Sequence, residues 1–165
     1  MDHNGEILVE SEVGVGTTFL ILLPGTKQLT EQVKEISPTI TGVGTILLVD
    51  DEEINRILIK DILESLGYKV LLAVDGQESI GIFSKKHSEI DIVLMDMIMP
   101  RMNGSEAFYK MKEIDENCKV IISSGNTKDE NTDELIKNGL VGFINKPYRI
   151  SEISQVLKNG MNREN

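Results

Sequence analysis

The sequence predicts an α/β fold: a five-stranded parallel sheet, doubly wound with helices, behind a small N-terminal β-hairpin. Three observations lead there. Over residues 45 to 160, short aliphatic runs alternate with helix-period patterns, which is how βα units read. Right-handed crossovers between such units give an open sheet with its chemistry just beyond the carboxyl ends of the strands, and Asp50, Asp51, Asp96, Ser124 and Lys146 all fall at such ends. Residues 1 to 43 have a different character, two apolar strands around a Ser/Gly turn and then a polar stretch.

In chain order, "GEILVE" and "TTFLILLP" flank "SEVGVG" as a two-stranded hairpin. A lone hairpin is marginally stable, so this one suits a role completing some other sheet. Residues 1–24 form this piece, and the Thr/Pro/Gly-containing residues 25–43 suit a linker. The main domain spans 44–160, with 161–165 as a tail. Its strands are "TILLV" (45–49), "KVLLAV" (69–74), "DIVLM" (91–95), "KVIIS" (119–123) and "GFIN" (142–145). Ile54, Ile57, Leu58, Ile62 and Leu66 recur at helical spacing before Gly67, predicting a helix over 53–66. Further helices are expected over 76–86, 104–114, 127–138 and 150–159, the last with Ile150, Ile153 and Leu157 as a stripe that docks on a sheet.

At 165 residues the chain has room for one ordinary domain and an appendage. Its net charge of −10 repels phosphate backbones and argues against direct nucleic-acid binding. No apolar run approaches a membrane span, and "MDHNGE" does not begin a secretion signal, so a soluble fragment without membrane contact is expected. The single cysteine, Cys118, excludes an internal disulfide framework and fits a cytoplasmic setting, where its plain reading is a small strand residue.

The stretch "IVLMDMIMPRMNG" places Asp96 among apolar residues, where an ionised carboxylate needs compensation. Asp50 and Asp51 reach the same edge, and three converging carboxylates repel one another unless a cation is present. With oxygen ligands only, and no His or Cys nearby, Mg²⁺ suits such a site. Lys146 supplies a point charge and Ser124 a hydroxyl for the oxygens of a phosphoryl group, which leaves Asp96 as a nucleophile. Each residue has a plainer reading. Asp50 to Glu53 can be a helix cap with first-turn acids, Ser124 a cap and Lys146 a loop lysine. Their joint placement at successive strand ends favours the chemistry.

"ILLVDDEEINR", "LMDMIMPRMNG", "VIISSG" and "GFINKPY" resemble, in order and spacing, the motifs of response-regulator receiver domains. The resemblance implies a flavodoxin-like strand order 2-1-3-4-5, with Asp96 as the phosphoacceptor. It further implies Mg²⁺ at Asp50, Asp51, Asp96 and the main-chain carbonyl of Ile98, Lys146 on the phosphoryl group, a cis Pro147, and Ser124 with Phe143 as the switch pair. Of the adjacent Ser123 and Ser124, the family's distance to Lys146 selects Ser124, and Phe143 stands where the family commonly has Tyr. The implied partners are a histidine kinase, in cis or in trans, and a histidine phosphotransfer protein. "HNGEILVESEVGVGTTFLILLP" is similar to the last strands of a histidine-kinase ATP-binding domain, without its asparagine-bearing and glycine-rich boxes, and His3 belongs to that pattern rather than to a phosphorylated histidine. Together these imply the C-terminal part of a hybrid sensor kinase that does not itself bind ATP.

Other classes fit less well. A receiver could act by protein binding alone, as a phosphate sink. A haloacid-dehalogenase-type phosphatase needs a second Asp two residues after the nucleophile, where this chain has Ile98. A flavin or nucleotide carrier needs a phosphate cradle after the first strand, where this chain has acids.

Overall fold

The structure is a computed structural model that describes residues 5–25, 41–125, 130–147 and 149–162. The chain divides into two compact units, Met1–Glu35 and Ile36–Asn165. In the first, β1 (Glu6–Glu12) pairs antiparallel with β2 (Gly16–Leu22), with Ile7 opposite Ile21 and Val9 opposite Phe19. The turn is tighter than "SEVGVG" suggests. Ser11 and Glu12 belong to β1, the Ser11 and Thr17 hydroxyls are 2.8 Å apart across the ladder, and Gly14 takes the positive φ that the turn requires. Every hairpin residue is exposed, the apolar ones included. Most of the expected linker, and His3, lie outside the described residues.

The second unit holds β3 (Thr45–Val49), α1 (Glu53–Ser65), β4 (Lys69–Ala73), α2 (Gly76–Lys86), β5 (Ile92–Asp96), α3 (Gly104–Ile114), β6 (Val120–Ser124), α4 (Glu130–Lys137), β7 (Gly142–Asn145) and α5 (Ile150–Met161). The sheet is parallel throughout, in the order β4-β3-β5-β6-β7. Counted within this unit, that is the expected 2-1-3-4-5.

Alternation along the buried strands explains the double winding, since successive side chains leave a strand on opposite faces. Leu47, Val49, Val93, Met95, Val120 and Ile122 face one way, where Phe83, Phe108, Met111 and Leu135 cover them. Ile46, Leu48, Ile92, Leu94, Ile121 and Ile144 face the other, beneath Ile59, Leu63, Ile153 and Leu157. The unit's first strand is anchored at its start. The Gly42 amide donates to the Leu66 carbonyl at 2.9 Å, and the Thr45 amide donates to the Asp91 carboxylate at 2.7 Å.

Several ends differ from the sequence reading. β5 and β6 each run one residue further, so Asp96 and Ser124 are the last residues of their strands, held by ladder partners. β4 stops at Ala73 and α1 at Ser65, where Gly67 in the left-handed region closes the helix end. α5 continues through Gly160 to Met161, and a Cβ at Gly160 would stand 2.8 Å from Ile92. A short 3₁₀ turn, His87–Glu89, was not foreseen. Of the helix expected over 127–138, residues 127–129 lie outside the described residues. Cys118 is buried but precedes β6 rather than lying in it.

Truncating the fully buried Phe108 to alanine is expected to cost about 3–5 kcal/mol, read as a lowered urea midpoint. Burial also pushes the Cys118 thiol up to about 11. In the folded protein it should stay unreactive toward a disulfide reagent at pH 8 and react on unfolding. Because the folded state holds this proton more tightly, the thiol's contribution to stability is complete below about pH 9 and is lost as pH rises to about 11. Rapid labelling of the native protein would contradict this burial.

Candidate functional site

The carboxyl ends of β3, β5 and β7 bring Asp50, Asp96 and Lys146 together. Asp50 follows β3 and is almost fully buried, at 1% exposure. Its Oδ1 accepts from the Glu52 amide at 2.9 Å, and its main-chain carbonyl accepts from Arg56 Nη1 at 2.6 Å. Lys146 extends from the end of β7 and donates to Asp50 Oδ2 at 2.8 Å and to Asp96 Oδ2 at 2.7 Å. One ammonium thus bridges two carboxylates whose strands are neighbours in the sheet. Burial by itself lowers the pKa of Lys146, but the hydrogen bonds to Asp50 and Asp96 outweigh it and raise the pKa above the ordinary lysine value.

Asp51 is exposed beside this pair. Carboxylate oxygens of Asp50, Asp51 and Asp96 all lie within 4.8 Å of one another. An all-oxygen, triply acidic donor set fits a hard divalent cation, because Lys146 alone offsets only part of the charge. Ile98 is exposed in the loop after β5. The Lys146–Pro147 peptide bond is cis. The Lys146 amide donates to the Ser124 carbonyl at 2.7 Å, tying the lysine's backbone to the end of β6. Ser123 and Ser124 are both buried, with Ser123 in register opposite Asp96 and its hydroxyl 3.5 Å from the Met95 carbonyl. Phe143, opposite Ile122, is half-buried against the apolar cluster that contains Met95 and Phe108.

Two features near the site escaped the sequence reading. Arg56 reaches back across the first turn of α1 to Asp50, a tie that its place in the first turn could have suggested. Asp75 caps α2 by accepting from the Glu78 amide at 2.7 Å, a pattern visible in "DGQE" as an acceptor with Glu three residues on. Its other carboxylate oxygen meets the guanidinium of Arg101, from the loop after β5. Desolvation pushes the Asp75 pKa up, but the Glu78 amide and Arg101 prevail and hold it below the ordinary value.

The family model for the response regulator receiver domain matches residues 46–158, all of this sheet but Thr45 and most of its helices. The chain belongs to the response regulator receiver family. Receiver domains are the phosphoacceptor modules of two-component signalling, and the relatives agree with that. Chemotaxis protein CheY of Thermotoga maritima is 37% identical over 115 residues, which cover 68% of this chain and 92% of CheY. Sensor kinase CckA of Brucella abortus is 31% identical over 170 residues, covering 97% of this chain, hairpin included, but 18% of CckA. The chain therefore spans only a small part of the sensor kinases it resembles. A CheY of Borrelia burgdorferi, solved in a complex described as CheX-CheY-BeF3-Mg²⁺, superposes with a TM-score of 0.70 at 27% identity, covering 73% of this chain and 90% of that one. The receiver domain of hybrid histidine kinase CckA gives 0.61 at 28% identity, covering 72% and 100%. Among the described residues, no helix is long and apolar enough to cross a membrane.

Replacing Lys146 with methionine leaves buried Asp50 facing Asp96 without a cation, and in EDTA should cost about 2–4 kcal/mol at pH 7. The raised lysine pKa sets the sign of the pH dependence. The wild-type contribution is complete below the ordinary value of 10.5 and fades only as pH climbs through the raised value. Urea titrations of both proteins from pH 7 to 10 should therefore show a constant stability difference, and equal stabilities at pH 7 would show that the bridge does not stabilise the fold.

Proposed function

We propose that Asp96 accepts a phosphoryl group from a phosphohistidine and passes it to a histidine phosphotransfer protein or to water. The observation that carries this is Asp96 at the end of the central strand β5, bonded to Lys146 and clustered with Asp50 and Asp51. Asp50, Asp51, Asp96 and the main-chain carbonyl of Ile98 would hold Mg²⁺. When bound, the ion supplies charge neutralisation for the carboxylates and the phosphoryl oxygens. An Asp96 carboxylate oxygen attacks phosphorus, the bond from phosphorus to the donor imidazole nitrogen breaks, and an acyl phosphate forms. Lys146 is already aimed at Asp96 Oδ2 and holds a phosphoryl oxygen as it arrives. Ser124 contacts the same group from the end of β6, and Phe143 follows it inward, changing the face made by α4, β7 and α5.

Partner chemistry is supported by the surface next to the site. Leu58, Ile59 and Ile62 of α1 line a groove of about 330 Å³ with Lys146 and Pro147, and Ile54 and Ile57 of the same helix are exposed. An apolar patch at the rim of the acceptor suits a helical, phosphohistidine-bearing partner, a histidine kinase or phosphotransfer protein. The CckA alignment runs through the hairpin, which supports reading residues 1–24 as the end of a kinase ATP-binding domain and the chain as part of a hybrid sensor kinase.

The expected result with a small-molecule phosphodonor is one Mg²⁺-dependent phosphoryl adduct in the intact-protein mass, absent from Asp96→Asn. An adduct that persists on the variant would remove Asp96 from this role, and no adduct on wild type would leave a module acting by binding alone. Lys146→Ala is expected to weaken the dependence of partner affinity on phosphorylation. Unchanged affinities in both states would exclude Lys146 from the coupling.

A further inference from the structure

The loop joining Asp96 to α3 is closed at both ends by main-chain bonds. The Met97 amide donates to the Ser123 carbonyl at 2.9 Å, and the Gly104 amide donates to the Met97 carbonyl at 2.9 Å. Between those ends lie Ile98 to Asn103. Met99 and Met102 lean on the apolar core, and Asn103 caps α3 by accepting from the Glu106 amide. The polar tie from this segment to another element is Arg101, whose Nε and Nη2 both reach Asp75 Oδ2 at the head of α2. The Asp75 side chain is 3% exposed, and its Oδ1 is engaged by the Glu78 amide. A buried carboxylate fixed at both oxygens is a rigid anchor. The next residue, Gly76, lies so close to the loop that a Cβ there would stand 2.6 Å from the Met102 carbonyl oxygen.

Arg101 also has φ 65, the only positive φ among the described non-glycine residues. Glycine would occupy that conformation without penalty, whereas arginine does not. The ion pair with Asp75 is what arginine gains there. The guanidinium brings two donors to that one carboxylate oxygen, so the ion pair spans the gap between the loop and the head of α2. It therefore holds the middle of the loop, three residues after Ile98.

We propose that Arg101, anchored by Asp75, is a positioning residue for the cation site: it sets the 98–102 loop so that the Ile98 carbonyl stands ready beside the carboxylates. This rests on the reading of that site given above. Arg101 touches neither the cation nor the phosphoryl group. It acts through the backbone of the loop, as residues that orient metal ligands do, and removing such residues typically lowers metal affinity by about 10–100-fold. The clamp also links α2 to the acceptor loop, so the head of that helix feeds into how well the site is organised.

The test is calorimetric titration of Mg²⁺ into wild type, Arg101→Gly, Arg101→Lys and Asp75→Asn, with thermal unfolding of each recorded in EDTA. Arg101→Gly relaxes the backbone while deleting the guanidinium, and Asp75→Asn keeps a good helix cap while deleting the charge. Both should weaken Mg²⁺ binding by about tenfold; Arg101→Gly, which leaves the Asp75 carboxylate buried without its cation, also lowers the metal-free melting temperature, Asp75→Asn changes it little, and Arg101→Lys should recover part of the affinity. Affinities within about twofold of wild type in both variants would overturn the clamp while leaving the cation site intact. So would an affinity loss that merely tracks a lowered metal-free melting temperature. Absence of Mg²⁺ binding by wild type would overturn the reading of the site and the clamp together.

Discussion

Two carboxylates and one ammonium meet where β3, β5 and β7 end, and the geometry of this edge follows from the need to balance their charges. Asp50 is buried too deeply to be solvated, so its cost is met by the Glu52 amide and by Lys146. Lys146 can serve both Asp50 and Asp96 because its own backbone is hydrogen-bonded to the end of β6. The bridge thus depends on four strands being in register. The same bridge leaves the site under-neutralised, since exposed Asp51 stands within 4.8 Å of the pair. Such an edge is tolerable for a folded protein and receptive to a further cation, the combination a phosphoacceptor needs.

The sheet beneath is built so that this edge stays fixed. Three central strands are buried on both faces, and each contributes alternate residues to two separate apolar layers. Slipping any strand by one residue would exchange those layers and move Asp96 or Ser124 off the edge. The chemistry is therefore placed by packing that has no polar content of its own. The glycines at 76, 104 and 160 serve the same end, each letting a helix approach closer than any side chain would allow.

Much of this was legible in the sequence because the signals were local. Aliphatic runs ending in acids, a serine and a lysine marked the strands and the edge together, and the order of four motifs marked the family. What was not legible depends on partners far along the chain. The two bonds of Lys146 span 96 and 50 residues, and the Arg101–Asp75 pair spans 26. Nothing in "IVLMDMIMPRMNG" marked which residue would take a positive φ. β5 and β6 ran one residue past expectation because ladder pairing, of Asp96 with Ser123 and of Ser124 with Asn145, rather than side-chain polarity, ends a strand. Gly160 signals a helix end by propensity, yet α5 runs through it to Met161, at a place where a side chain would meet Ile92.

The way the chain enters the sheet has a mechanical meaning. Residues 42 to 45 are tied to the end of α1 and to Asp91, and they lead straight into β3, which lies inside the sheet with parallel neighbours on both sides. A pull on the chain ahead of residue 41 loads both ladders along the strand axis, so many hydrogen bonds share the force at once. An edge strand pulled outward would instead open one bond at a time. Tension arriving from the N-terminal side is thus borne in shear by the strand whose end carries Asp50, and the acidic edge lies at the far end of the element that takes the load.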